Sequence, residues 1–169
     1  MRKPYSTSRK IEIRKKFVWK DIDLVVYDFD GVMTDNKVFV FQDEKEAVVC
    51  NRADGLAVSI LKKKGIRQLI LSTETNSVVV ARAKKLNIPI LSGIDDKVIA
   101  LKKYCAEHRI QLKRTMFVGN DINDIKVMKI VGCSIAPADA SREVKNIANF
   151  TTKKFGGEGV IREILDIVA

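Results

Sequence analysis

The stretch Leu24-Val25-Val26-Tyr27-Asp28-Phe29-Asp30-Gly31 decides how this chain is to be read. Four apolar residues in succession leave no polar face, so a strand built from them needs cover on both sides. The run then stops on two carboxylates, two residues apart, and a glycine, which reads as a buried strand emptying into a loop. Outward from it the same device recurs. Arg67–Leu71 is again a strand, ending at Ser72-Thr73-Glu74, and Thr115–Val118 runs into Gly119-Asn120-Asp121-Ile122-Asn123-Asp124. Shorter β-rich runs stand at 88–91, 133–136 and 150–152. Between them lie segments of helical spacing: 54–64 with Leu56, Ile60 and Leu61, closed by Gly65; 76–86 with Asn76 as N-cap; and 95–109 with Val98, Leu101, Lys102 and Cys105. Further helices are expected through Met128, from Ala140, and over 158–168. Strand and helix alternate, which predicts an α/β fold: a doubly wound parallel sheet with helices on both faces and its site at the carboxyl ends of the strands. The exception is 37–50, where two short β-rich runs flank Asp43-Glu44-Lys45 and predict a small β-hairpin insertion. Neither the interval from Asp30 to Ser72 nor that from Ser72 to Lys97 has room for a cap domain.

Composition narrows the function classes. A chain of 169 residues with 46% hydrophobic and 31% charged residues suits one ordinary globular domain and excludes wholesale disorder. Three cysteines without CxxC spacing argue against a disulfide scaffold or zinc cluster and favour the reducing cytoplasm. A single histidine, His108, excludes most His-dependent metal sites and is expected at an exposed helix end. The net charge of +10 invites a nucleic-acid or membrane partner. However, residues 1–20 carry eight basic side chains against one acid, leaving only +3 over 21–169. The chain thus divides into a basic N-terminal leader, 1–20, and a nearly neutral domain, 21–169. A nucleic-acid partner is not expected, and no segment has the roughly 20 apolar residues of a membrane span.

In a doubly wound sheet, Asp28, Asp30, Ser72, Lys97 and the Asn120–Asp124 loop converge on one crevice. Two carboxylates on one turn can divide labour, one attacking as a nucleophile and the other moving a proton on a leaving oxygen. Carboxylate and amide oxygens together suit Mg²⁺. A hydroxyl such as Ser72 and an ammonium such as Lys97 can hold phosphate oxygens during an in-line displacement. The chemistry this layout can run is phosphoryl transfer through an aspartyl-phosphate.

The motifs Asp28-Phe-Asp30-Gly31-Val-Met-Thr34-Asp35, Ser72, Lys97 and Gly119-Asn-Asp-Ile-Asn-Asp124 resemble the haloacid dehalogenase-like phosphatase superfamily. More narrowly, Asn51-Arg-Ala-Asp54-Gly55, Leu71-Ser-Thr-Glu74, Gly93-Ile-Asp-Asp-Lys97, Ala136-Pro-Ala-Asp139-Ala and Gly156-Gly-Glu-Gly159-Val-Ile-Arg162-Glu163 are similar to the 3-deoxy-D-manno-octulosonate 8-phosphate phosphatase family, including the phosphatase-like domains associated with acylneuraminate cytidylyltransferases. The resemblance implies Asp28 as nucleophile and metal ligand. It implies Asp30 as general acid and base, lending its carbonyl to Mg²⁺. Ser72 and Lys97 would bind the phosphoryl group, with Arg52, Asp54, Glu74 and Lys85 as further substrate contacts. It further implies a homotetramer assembled through the 37–50 hairpin, in which the C-terminal Gly-Gly-x-Gly tail closes a neighbour's site. The implied substrate is a phosphorylated ulosonic or sialic-type sugar acid. Two departures stand out. Asn120, followed by Asp121, occupies the place where the family carries a third acidic ligand, and Ser72-Thr73-Glu74 lacks the usual central glycine. Glu74, with Lys85 eleven residues on, matches relatives acting on the nine-carbon 2-keto-3-deoxynononate 9-phosphate rather than the eight-carbon sugar. The alternatives are a phosphatase for another small phosphomonoester and a non-catalytic oligomerisation domain.

Overall fold

Strand β1 (Leu24–Tyr27) lies inside a six-stranded sheet, as its apolar run requires. The computed structural model describes residues 21–168; the leader 1–20, with Trp19, lies outside the described residues. After β1 come the hairpin strands β2 (Phe39–Val40) and β3 (Glu46–Ala47), then α1 (Arg52–Lys63), β4 (Arg67–Leu71), α2 (Ser77–Leu86), β5 (Ile90–Leu91) and α3 (Lys97–Glu107). A 3₁₀ turn at Leu112–Arg114 leads into β6 (Thr115–Val118), and a second at Ile122–Asp124 leads into α4 (Ile125–Met128). The chain closes with β7 (Cys133–Ala136), α5 (Arg142–Ile147), β8 (Phe150–Thr151) and α6 (Val160–Val168).

The sheet order is β5-β4-β1-β6-β7-β8, every pair parallel. Alternate residues of β1 feed two cores. Val25 and Tyr27 pack with α1, α2 and α6 on one face, while Leu24 and Val26 pack with α3, α4 and α5 on the other. Both faces are dry, which is why the strand sequence shows no polar alternation. From β1 the chain winds outward through β4 to β5, then returns to lay β6 along the other side of β1. The loops after β4 and β6 therefore flank the loop after β1, and a crevice opens there. Tyr27 is in register with Ile70 and Val118, so Asp28, Ser72 and the Gly119–Asn120 turn leave the same edge of the sheet.

Element boundaries shift where side chains cap the backbone. Asn51, Asn76, Asp96 and Ser141 each accept a main-chain N–H within the first turn of α1, α2, α3 and α5. Thus α1 begins before the apolar spacing does, while α3 and α5 begin after it. The hairpin runs were expected to be longer strands. Only two residues on each side pair, because an isolated exposed ribbon has no second layer to extend it.

Candidate active site

Lys97, the first residue of α3, turns its ammonium inward and is only 4% exposed. Its Nζ lies 2.9 Å from Asp28 Oδ2 and 2.7 Å from Asp124 Oδ1. A charge this deep is tolerable because both carboxylates meet it. Burial alone would depress the Lys97 ammonium, but Asp28 and Asp124 outweigh it and hold the proton. Burial pushes the Asp28 carboxyl up to about 7; Asp124 adds to the rise and Lys97 opposes it. The other oxygen, Asp28 Oδ1, accepts the Phe29 N–H at 2.7 Å, so the side chain is gripped from two directions. Asp124 in turn accepts the Asn120 N–H at 2.9 Å, which ties the turn after β6 to the same cluster.

Asp30 is half-buried on the loop after β1. Thr34, fully buried, donates its hydroxyl to Asp30 Oδ1 at 3.2 Å while accepting the N–H groups of Gly31 and Asn36. Burial pushes the Asp30 carboxyl up, with Glu74 and Glu46 adding to the rise against Thr34 and Lys97. A carboxyl so placed can carry a proton to a leaving oxygen. Ser72 is 2% exposed at the end of β4, and its oxygen accepts the Glu74 N–H at 3.0 Å, leaving the hydroxyl hydrogen to donate. Beside Asp30 a cavity of about 260 Å³ opens between the hairpin and the start of α2.

The donor set suits a hard cation. Gly31, with φ +72°, stands where a Cβ would run into the Asn120 amide at 2.0 Å. Asn120 is therefore seated on the loop that carries Asp28 and Asp30. Among the described residues its side chain makes no hydrogen bond, which leaves the amide oxygen available. Among the described residues no three His, Cys, Asp or Glu side chains gather as metal ligands. A cation here would rest on the carboxylates of the β1 loop and a neutral amide, an all-oxygen set that fits Mg²⁺.

Asp28, Asp30, Ser72, Lys97, Asn120 and Glu74 thus share one edge. Among the described residues no hydrogen bond or ion pair joins the side chains of the other expected residues to Asp28, Asp30, Ser72 or Lys97, although the Asp121 N–H reaches Asp124 Oδ2 at 3.4 Å. Arg52 is exposed in the first turn of α1, and Asp121 is exposed, with Oδ1 taken by the Ile122 N–H at 2.7 Å. Lys85 sits in the last turn of α2, nine residues and about 13 Å along the helix from the N-cap that borders the cavity. Asp54, 2% exposed, accepts the Arg162 N–H at 3.0 Å and so caps α6 from α1. The glycines expected to reach a neighbour are also engaged at home. A Cβ on Gly156 would lie 2.3 Å from the Gly31 carbonyl oxygen, and Gly157 donates its N–H to Val32 O at 3.1 Å. They brace the chain's own 31–35 loop. Asp124 had no assigned role in the sequence, although it closes the Gly119–Asp124 motif; Glu46 carried no signal beyond its hairpin.

A family model described as haloacid dehalogenase-like hydrolase matches residues 34–164. Over 149 residues the chain is 31% identical to a 3-deoxy-D-manno-octulosonate 8-phosphate phosphatase of Yersinia pestis, covering 88% of this chain and 80% of that one. It is 26% identical over 147 residues to N-acylneuraminate cytidylyltransferase A of Danio rerio, covering 86% of this chain but 34% of that longer protein. Among solved structures, a HAD family hydrolase from Streptomyces avermitilis superposes with TM-score 0.88 at 47% identity, covering 90% of this chain and 87% of that one. The 3-deoxy-D-manno-octulosonate 8-phosphate phosphatase of Moraxella catarrhalis, solved with magnesium, phosphate and its sugar acid, gives 0.87 at 30% identity, covering 93% and 90%.

Proposed function

This chain belongs to the haloacid dehalogenase-like hydrolases, is a phosphoric monoester hydrolase close to the 3-deoxy-D-manno-octulosonate 8-phosphate phosphatases, and from that premise we propose that it is a Mg²⁺-dependent phosphatase of a phosphorylated ulosonic or sialic-type sugar acid. The observation that carries this reading is the buried Asp28–Lys97–Asp124 cluster, set next to Asp30 and an open cavity. Asp28 attacks phosphorus and becomes an aspartyl-phosphate while the ester oxygen departs. Asp30 gives that oxygen its proton, then takes one from the water that releases phosphate and restores Asp28. Lys97 and the Ser72 hydroxyl hold the phosphoryl oxygens. Mg²⁺, held by Asp28, the Asp30 carbonyl and Asn120, would neutralise the phosphate's charge. A neutral amide in place of a third carboxylate predicts a weaker hold on the ion.

The substrate assignment rests on the relatives named above and on Glu74 beside the cavity, which favours the nine-carbon acid. Assembly rests on the hairpin: Val38, Phe39, Val40, Phe41 and Val49 are 48–68% exposed, an apolar surface that a homotetramer would cover. No helix among the described residues is long and apolar enough to cross a membrane; we place the enzyme in the cytoplasm, as its cysteine usage suggests. The match to a third of a longer cytidylyltransferase supports a second reading, an oligomerisation module without turnover.

The test is phosphate release from the eight- and nine-carbon ulosonate phosphates, side by side, with Mg²⁺ and with a chelator. Turnover of the nine-carbon ester exceeding that of the eight-carbon ester, and lost on chelation, is expected. No turnover of either, from a stable oligomer, would establish the module reading instead.

A further inference from the structure

The cavity beside Asp30 has a chemical character that the phosphatase reading does not by itself supply. Its polar wall is Asp30, Glu46, Glu74, Asn36 and Asn76, with Lys37 at the rim, over an apolar floor that includes Phe29 and Val79. Glu46 comes from β3, and its Oε2 accepts the Asn76 Nδ2–H at 2.7 Å. Asn76 is also the N-cap of α2, so this bond ties the hairpin to the turn that follows Ser72. Glu74 Oε1 accepts the N–H groups of Thr75 and Asn76 at 2.7 and 2.8 Å. Each of these two carboxylates is thus fixed by one oxygen, and among the described residues no donor meets the other oxygen. Lys37 is the cation among the described lining residues; its side chain is 81% exposed and its Nζ lies 3.5 Å from Asp35. The cavity is a surface of hydrogen-bond acceptors with a net negative charge.

The phosphate end of the substrate is anchored at Asp28 and Lys97, and the leaving oxygen must lie at Asp30. Whatever enters the cavity is therefore the part of the molecule next to the phosphate ester. In a terminally phosphorylated ulosonic acid that part is a run of hydroxylated carbons, and the carboxylate is at the opposite end of the chain. Hydroxyls donate well to fixed carboxylates, whereas a second anion there would meet like charge.

We propose that Glu46 is a specificity-determining residue: with Glu74 it makes the wall next to the leaving oxygen accept hydroxyl groups and exclude a second anionic group. The substrate's carboxylate then leaves the cavity on its far side. This inference rests on the phosphatase reading and adds to it a rule, that hydroxylated carbons flank the phosphate and no acid lies within a few carbons of it. It also gives the hairpin a task inside its own protomer.

The experiment uses two inhibitors of equal length against p-nitrophenyl phosphate hydrolysis. Glycerol 3-phosphate ends in a hydroxyl where 3-phosphoglycerate ends in a carboxylate. For the unaltered protein the inhibition constant of 3-phosphoglycerate is expected to be at least about tenfold the weaker. Glu46→Gln keeps an oxygen for Asn76 and removes the charge, and it should narrow that gap at least about threefold; Glu46→Ala should narrow it too. A residue that merely held the hairpin would weaken both inhibitors alike and leave the ratio where it was. Equal constants in the unaltered protein, or an unchanged ratio in both variants, would overturn the proposal while leaving the phosphatase reading intact. Failure of the unaltered protein to release phosphate from p-nitrophenyl phosphate and from both ulosonate phosphates would sink that reading, and this inference with it.

Discussion

Lys97 could be read from sequence because it opens a helix at the correct edge of the sheet. What it binds could not be fully read. Asp28 and the loop carrying Asp124 were both expected in its crevice, but not the direct pairing with Asp124, 27 residues further on, which the parallel pairing of β1 with β6 makes possible. Asp54 shows the same limit more sharply. Its motif suggested a substrate contact, while its partner in the structure is the main chain of Arg162, 108 residues away. Such distances are set by packing, and no local pattern encodes them. The Asp54 assignment has a measurable consequence. Burial pushes its carboxyl up to about 6 from 3.8, moderated by the N–H groups at the start of α6 and by Arg82. Above pH 3.8 the unfolded chain gives up this proton while the folded chain still holds it. Stability from this group is therefore full at low pH and falls as pH rises towards 6, by about 2–3 kcal/mol. Denaturant unfolding of Asp54→Asn and the unaltered protein, at pH 4 and pH 7, should show the variant gaining by that order as pH rises. Parallel behaviour at the two pH values would refute the burial argument.

At the scale of elements, the strands were legible because β1, β4 and β6 are covered on both faces and so carry the apolar runs Leu24–Tyr27, Leu69–Leu71 and Met116–Val118. The helices were legible to within their caps. The two 3₁₀ turns were not foreseen, since three-residue segments carry too little periodicity to register. The Gly156-Gly157 pair was visible as a motif, but the loop of its own chain that it packs on was not. Its lack of side chains serves a backbone-to-backbone contact with the 31–35 loop, 2.3 Å from any Cβ that replaced the Gly156 hydrogen. The hairpin is the element on which the proposed assembly rests. Phe39 and Phe41 are 59% and 55% exposed, and burying a phenylalanine is worth about 1.5–3 kcal/mol. Changing both to serine should weaken self-association at least about a hundredfold, read by sedimentation, with the circular dichroism of the sheet and helices retained. An unchanged oligomer in that variant would show that the hairpin does not hold it together.

At the scale of the molecule, the charge that first suggests a polyanion partner belongs to residues 1–20, while 21–169 is close to neutral. The domain instead concentrates negative charge at one edge. Asp28, Asp30, Glu46 and Glu74 gather there, answered within the crevice by Lys97. That imbalance suits the cation, phosphate and hydroxylated leaving group proposed above, and the winding of the sheet brings these residues together from the β1 loop, β3, the turn after β4 and the start of α3. The proposed function turns on Asp28 acting as the nucleophile. The most direct measurement is Mg²⁺-dependent phosphate release by Asp28→Asn beside the unaltered protein on the nine-carbon ulosonate phosphate. The amide keeps the shape and cannot attack, so a loss of at least about a thousandfold in kcat is predicted, with folding unchanged by circular dichroism. Turnover by the variant at a tenth or more of the unaltered rate would contradict the account.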